Sequence, residues 1–179
     1  LYVMGRTYTA PLGFDIRHTY SIVISSLSER SPDYIPKEKR ERPDGVHLLT
    51  ALDRIRTYPG VESACLTDGG MPYYMGSRNL VWRIDTLQVP CRYAFVTPEF
   101  FDVFRIYDKD GKTASLKRAI EDNNSIVISA DVETMNPGLS LLGQKAYRGN
   151  VTDEIEETIR GISVPIRRHE YTKAEPNVY

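Results

Sequence analysis

The stretch YAFVTPEFFDVFRI, residues Tyr93 to Ile106, sets a Thr-Pro-Glu turn directly before three phenylalanines in five positions. Thr97 is a natural N-cap, Pro98 suits a first helical position that needs no N–H, and Glu99 complements the helix dipole. The spacing therefore predicts a helix from Thr97 to Arg105, with Phe100, Val103 and Phe104 on one face and Phe101 on its flank. Two turns of helix cannot stand alone in water. The aromatic face must dock, either on the protein's own core or on a partner.

Working outward, Val89 to Val96 leads into this helix as a strand, and Asn79 to Leu87 alternates apolar and polar residues as another. Between Asp68 and Ser77 lies DGGMPYYMGS, too rich in glycine for an element and lacking the lysine and spacing of a phosphate-binding loop. Upstream, Tyr20 to Leu27 and Val61 to Thr67 read as strands flanking a helix from Gly45 to about Thr57, capped by Asp44. Its apolar stripe is Val46, Leu49, Leu52 and Ile55, widened by Leu48. A proline-containing charged loop separates the first strand from that helix.

Downstream, Asp108 to Gly111 turns the chain and Thr113 to Asp122 has helical spacing. SIVIS, Ser125 to Ser129, is a strand of the kind buried on both faces. A brief helix through Met135 and strands at Gln144 to Arg148 and Thr158 to Arg167 complete the chain. The order argues for an α+β fold: a mixed sheet with packed helices, a split βαβ-like core lobe and a smaller, mostly-β lobe.

Length and composition agree with a folded domain. The 179 residues are 41% hydrophobic and 26% charged, and 23 basic against 24 acidic residues leave a net charge of −1. This balance gives no electrostatic case for nucleic acid, which would call for a basic face or stripe. There is no apolar run of the roughly 20 residues that span a bilayer and no signal-peptide pattern, so the chain as given is expected to be soluble. Beginning at Leu1 without an initiator methionine, it is expected to be a piece of a longer protein.

Chemistry-bearing patterns are sparse. Asp153, Glu154, Glu156 and Glu157 form an acidic run that offers no asymmetry for general acid–base work and reads as a solvated hairpin face. Ser129 lacks the G-x-S-x-G elbow of a nucleophile and is expected to cap the helix after it. Asp108-Lys109-Asp110-Gly111 starts like a calcium loop but has no glutamate at the twelfth position. His18, His47 and His169 stand far apart, and Cys65 and Cys91 belong to no CxxC motif; the cysteines read as two small buried apolar residues or, in an oxidising compartment, as a disulfide pair. Tyr73, Tyr74, Tyr93 and Tyr107 could stack on sugars or peptides, or serve as half-buried packing residues. No catalytic, cofactor or metal site is expected.

Taken in order, YPGVESACLTDGGMP, FVTPEFFDVFRI, SIVISADVETMNPG with LLGQKA, and TIRGISVPIRRHEYTKAEPNVY resemble the MacB-like periplasmic core domain of FtsX/MacB-type ABC transporter permeases, in a Bacteroidota-like form. The matching positions are Pro59-Gly60-Val61 with Ala64, Val96 with Pro98, Phe100 and Phe101, Ile126 to Ser129, Leu142-Gly143, Ile159 with Gly161-Ile162, and Pro176 with Tyr179. The resemblance covers about Val46 to Tyr179.

The resemblance implies a membrane-proximal start over residues 1–19 and a core domain over 20–179, cut short at its C-terminal end and with a short variable lobe. It also implies a non-enzymatic extracytoplasmic domain of a permease in the inner membrane, on the periplasmic side. Its partners would be the permease's own transmembrane helices, a cytoplasmic ABC ATPase that binds the ATP, and periplasmic proteins, within a permease homodimer or pseudo-dimer. Against it stands a free-standing solute- or glycan-binding module, suggested by the aromatic content and the Asp68 to Ser77 loop. A hydrolase would require Ser129 in a deep pocket beside a histidine.

Overall fold

The computed structural model describes residues 9–23, 27–39, 44–73, 78–149 and 154–179. They fall into two units, one of residues 1–17 with 65–179 and one of residues 18–64.

In the larger unit six strands close into a barrel: β1 (Arg78–Ile84), β2 (Leu87–Tyr93), β3 (Ser125–Ser129), β4 (Lys145–Arg148), β5 (Ile155–Ser163) and β6 (Asn177–Val178). Their spatial order is β1-β2-β6-β3-β5-β4. The barrel is mixed. β3 runs parallel to β5 and β2 parallel to β6, while the other neighbours are antiparallel. The α+β class holds, and all six described strands belong to one closed barrel rather than dividing between two lobes.

Alternation along the strands fills one cluster with Trp82, Ile84, Val89, Cys91, Ile126, Ile128, Ala146 and Ile159, joined by Val132 and Leu141. Val127 points the other way, into a second cluster. β3 is buried at all five positions, as its unbroken apolar run requires. Among its described residues this unit carries the short helices α2 (Phe100–Val103), α3 (Ala114–Ala119) and α4 (Asp131–Met135). α2 and α3 supply the second cluster with Phe100, Phe101, Leu116 and Ala119.

Several expected boundaries move, each for a local reason. β1 stops at Ile84 because Asp85, at φ 51°, opens the two-residue Asp85-Thr86 turn into β2. The strand expected over Val61 to Thr67 is a single bridge, Thr67 to Val96. β5 ends at Ser163, ahead of Pro165, which has no N–H to give a ladder. β6 is only two residues long, below what a periodicity argument detects.

The Thr97 helix shrinks to α2. Thr97 does not cap it with its side chain: its Oγ1 accepts from the N–H of Leu66 at 3.1 Å, tying the turn to the segment after Ala64. The helix ends in a Schellman turn. Arg105, in the left-handed region at φ 50°, donates to the carbonyl of Asp102, and Ile106 donates to that of Phe101. Phe101, expected on the flank, is fully buried, whereas Val103 is half-buried.

The smaller unit holds a 3-10 turn (Lys37–Lys39) and α1 (Asp44–Arg56). The helix begins at Asp44 itself, one residue earlier than expected. Of its apolar stripe Leu52 is buried and Ile55 half-buried, while Val46, Leu48 and Leu49 are exposed. The strand expected over Tyr20 to Leu27 is absent among the described residues 20–23 and 27, and its centre lies outside them.

Candidate functional site

The residues singled out for chemistry are scattered. Asp153 lies outside the described residues, and the rest of the acidic run divides among three cations. Glu154 pairs with Arg83, Glu156 with Lys145 at 2.8 Å and with the Tyr147 hydroxyl at 3.0 Å, and Glu157 with Arg148 at 2.9 Å. Glu157 is buried rather than solvated, opposite Ala146 in the ladder and paired diagonally with Arg148 of β4. Asp108 spends one carboxylate oxygen on the N–H groups of Asp110 and Lys112, both at 2.9 Å, and the other on the Ser115 hydroxyl. Both oxygens serve the turn.

Ser129 is fully buried. Its Oγ accepts from the N–H of Asn177 at 2.9 Å and its hydroxyl bonds the Asp131 carboxylate, so it ties β3 to β6 instead of capping α4. Ala130 occupies the cap position, with no side-chain bond. Cys91 is buried, Cys65 half-buried, and neither is in a disulfide. Among the described residues no group of three or more His, Cys, Asp and Glu stands together as metal ligands. Tyr74 lies outside the described residues. Tyr73 packs edge-on to Phe14 and bonds Glu170, and Tyr93 packs edge-on to Phe95, so both have internal partners.

Three buried polar atoms without partners, on Arg92, Arg168 and Tyr179, belong to segments that meet at a seam beside the barrel, formed by β2, the Gly69-Gly70 turn and the final segment. In β2, Val89 and Cys91 face the core, so Arg92 faces outward, in register with Asn177 of β6. The seam is held by backbone bonds from Arg92 to Pro176 at 2.9 Å, from Ala94 to Val178 at 3.1 Å and from Tyr73 to Arg168 at 3.2 Å. A shallow depression is lined by Gly70, Arg92, Ala94, Asn177 and Tyr179. Gly70 has φ +68°, and a Cβ there would stand 2.8 Å from that of Ala94, so only glycine allows this approach.

Arg92 Nε, Arg168 Nε, Asp131 Oδ2 and the Tyr179 hydroxyl are all buried, and none has a hydrogen-bond partner. Burial pulls the Arg92 pKa down, and the nearby charge of Arg168 lowers it further, against the opposing pull of Glu175. Burial pushes Asp131 up, against the Ser129 hydroxyl and the backbone N–H of Ile166. Burial likewise pushes the Tyr179 hydroxyl up. This is a set of donors and one carboxylate short of partners, with no nucleophile paired to a base. Sequence reasoning missed it because Arg92, Asp131, Arg168 and Tyr179 are far apart along the chain. The one available signal was Arg92, the single charge in β2.

No family model matches the sequence, and no curated protein matches it. Solved structures do. The periplasmic region of MacB from Actinobacillus actinomycetemcomitans superposes with a TM-score of 0.50 at 10% identity, over 73% of this chain and 53% of that one. The fold is similar to that of the periplasmic region of MacB. A structure named as a permease-protein domain from Porphyromonas gingivalis gives a TM-score of 0.50 at 20% identity, over 72% of this chain and 49% of that one. The present chain thus spans about half the length of each. Identities this low establish the shared fold alone.

The likeness agrees with the expected resemblance at the level of architecture. Among the described residues no helix is long and apolar enough to cross a membrane.

Proposed function

We propose that this chain is the extracytoplasmic domain of an ABC transporter permease subunit, a non-catalytic body that couples an ATPase cycle on the other side of the membrane to export, lipoprotein handling or periplasmic signalling. The observation that carries this reading is the fold shared with the periplasmic region of MacB and with the Porphyromonas gingivalis permease domain. The physical support is the build of the larger unit. A closed barrel with α2 and α3 locked onto β3 moves as one body, because close-packed interiors shift between discrete arrangements and do not deform continuously.

On this reading residues 1–19 lie nearest the membrane and residues 20–179 form the core domain. ATP binds a separate cytoplasmic subunit or domain, and the permease works as a homodimer or pseudo-dimer in the inner membrane. A free-standing solute- or glycan-binding module would need a concave aromatic cavity. The depression at Gly70 and Tyr179 is too small to hold such a ligand.

The test is to isolate the native protein from its source cells by antibody and follow its fractionation. Recovery with inner membranes together with an ATP-hydrolysing subunit is expected. Recovery as a soluble protein with no ATPase attached would overturn the proposal.

A further inference from the structure

We propose that residues 10–17 form a strap latched to the barrel by the Arg167 side chain, so that strap and barrel open as one cooperative unit and a displacement of the strap displaces the barrel. The inference deepens the permease reading and in that respect rests on it, since that reading puts residues 1–19 nearest the membrane. The latch itself is tested apart from it.

Residues 11–16 belong to no helix or strand, so no ladder of their own holds them. Such a segment frays unless something else ties it down. Three ties meet it here. First, Arg167, just beyond the end of β5, is only 5% exposed. Its Nη1 donates to the carbonyl of Ala10 at 2.6 Å, its Nε to that of Thr172 at 2.8 Å and its Nη2 to that of Glu170, while its backbone N–H donates to the carbonyl of Leu12 at 2.9 Å. One planar guanidinium thus spans the strap and the turn after it, and a buried cation keeps its place only while such acceptors surround it. Second, Gly13, at φ +85°, lies so close to the chain leaving β5 that a Cβ there would run into the carbonyl oxygen of Pro165. Third, the far end of the strap is tied to the end of α2. The N–H of Asp15 donates to the carbonyl of Phe104 at 2.9 Å, and Arg105 Nη1 donates to that of Arg17 at 3.1 Å. Between these ties Phe14 packs against the cluster that holds Phe100 and Val127. The Arg105 bond is exposed to competition from water whereas Arg167 is buried, so Arg167 decides whether the strap stays down.

The experiment is native-state hydrogen exchange on the 179-residue chain, followed at the Asp15 amide for the strap and at the Ile159 amide, which donates to the carbonyl of Gln144, for the barrel. In the parent the two amides should exchange within about tenfold of each other, as one cooperative unit requires. Arg167→Met should speed Asp15 at least about tenfold more than Ile159, and Arg167→Lys, which keeps the charge but lacks the fork, should do the same. Gly13→Ala alters the strap alone and should release Asp15 in the same way, which keeps the test decisive if Arg167→Met does not fold. Arg160→Met, on the exposed side of β5, should leave the ratio of the two rates unchanged. Equal acceleration of both amides in the Arg167 and Gly13 variants, or none, would overturn the latch, as would an Asp15 amide that in the parent already exchanges like an open chain. Recovery with inner membranes depends on none of these rates, so a failed latch and a failed permease reading give different results.

Discussion

A Cβ atom placed on Gly161 of β5 would stand 2.8 Å from Cγ2 of Val127 in β3 and 3.0 Å from the Cβ of Ala119 in α3. The register between these parallel strands shifts at this point, where Ile126 faces Ile159 and Val127 faces Gly161. The empty position is what lets α3 lie against the outer face of β3.

Gly161→Ala should therefore destabilise the protein by about 1–3 kcal/mol. Alanine would ordinarily gain up to about 1 kcal/mol over glycine by restricting the unfolded chain. Here the clash outweighs that gain, because Val127 is stiff at χ1 and the Ala119 Cβ is fixed to a helix backbone. Denaturant unfolding measures the difference; an unchanged midpoint would show that α3 can slide aside.

Phe100→Ala should cost about 3–5 kcal/mol. Phe100 is fully buried, with ring centroids 4.7 Å from Phe104 and 5.2 Å from Tyr179. A variant that kept its stability but lost a binding partner would show that the ring docks on a partner and not on the core.

Alkaline pH should weaken the fold through Cys91. Burial pushes its thiol from an ordinary 9.0 up to about 12. Above pH 9 the unfolded chain sheds this proton while the folded chain keeps it, so the contribution is intact below pH 9 and drains away as pH rises toward 12. The full loss is on the order of 4 kcal/mol. Cys91→Ala, compared with the parent by unfolding at a series of pH values, should lack this part of the fall. Parallel curves would contradict it.

Tyr179→Phe should raise the thermal midpoint. The ring keeps its place against Phe100 and Phe101, while a buried hydroxyl without a partner is removed. The gain should be about 1 kcal/mol. A lowered midpoint would reveal a bond that the hydroxyl makes.

What could be read along the chain was whatever depends on near neighbours. SIVIS was legible as a doubly buried strand because five consecutive apolar or small residues leave no face for water. The aromatic helix after Pro98 was legible as docked because a short helix has no other source of stability. The division of labour among its phenylalanines was less so. Phe101 is buried because the chain turns back at Arg105 and brings Ile106 over it, which helical spacing alone does not encode.

Local pattern thus settled the α+β class, the existence of most elements in the larger unit and the need for an aromatic anchor, since propensity and periodicity act over a few residues. Tertiary structure decided the closure of six strands into one barrel, through a two-residue β6 that no pattern marks. It alone brought Arg92 within electrostatic reach of Arg168 and Tyr179, residues separated by up to 87 positions along the chain. Burial and electrostatic coupling depend on distance in space, and that distance exists only once the barrel has closed.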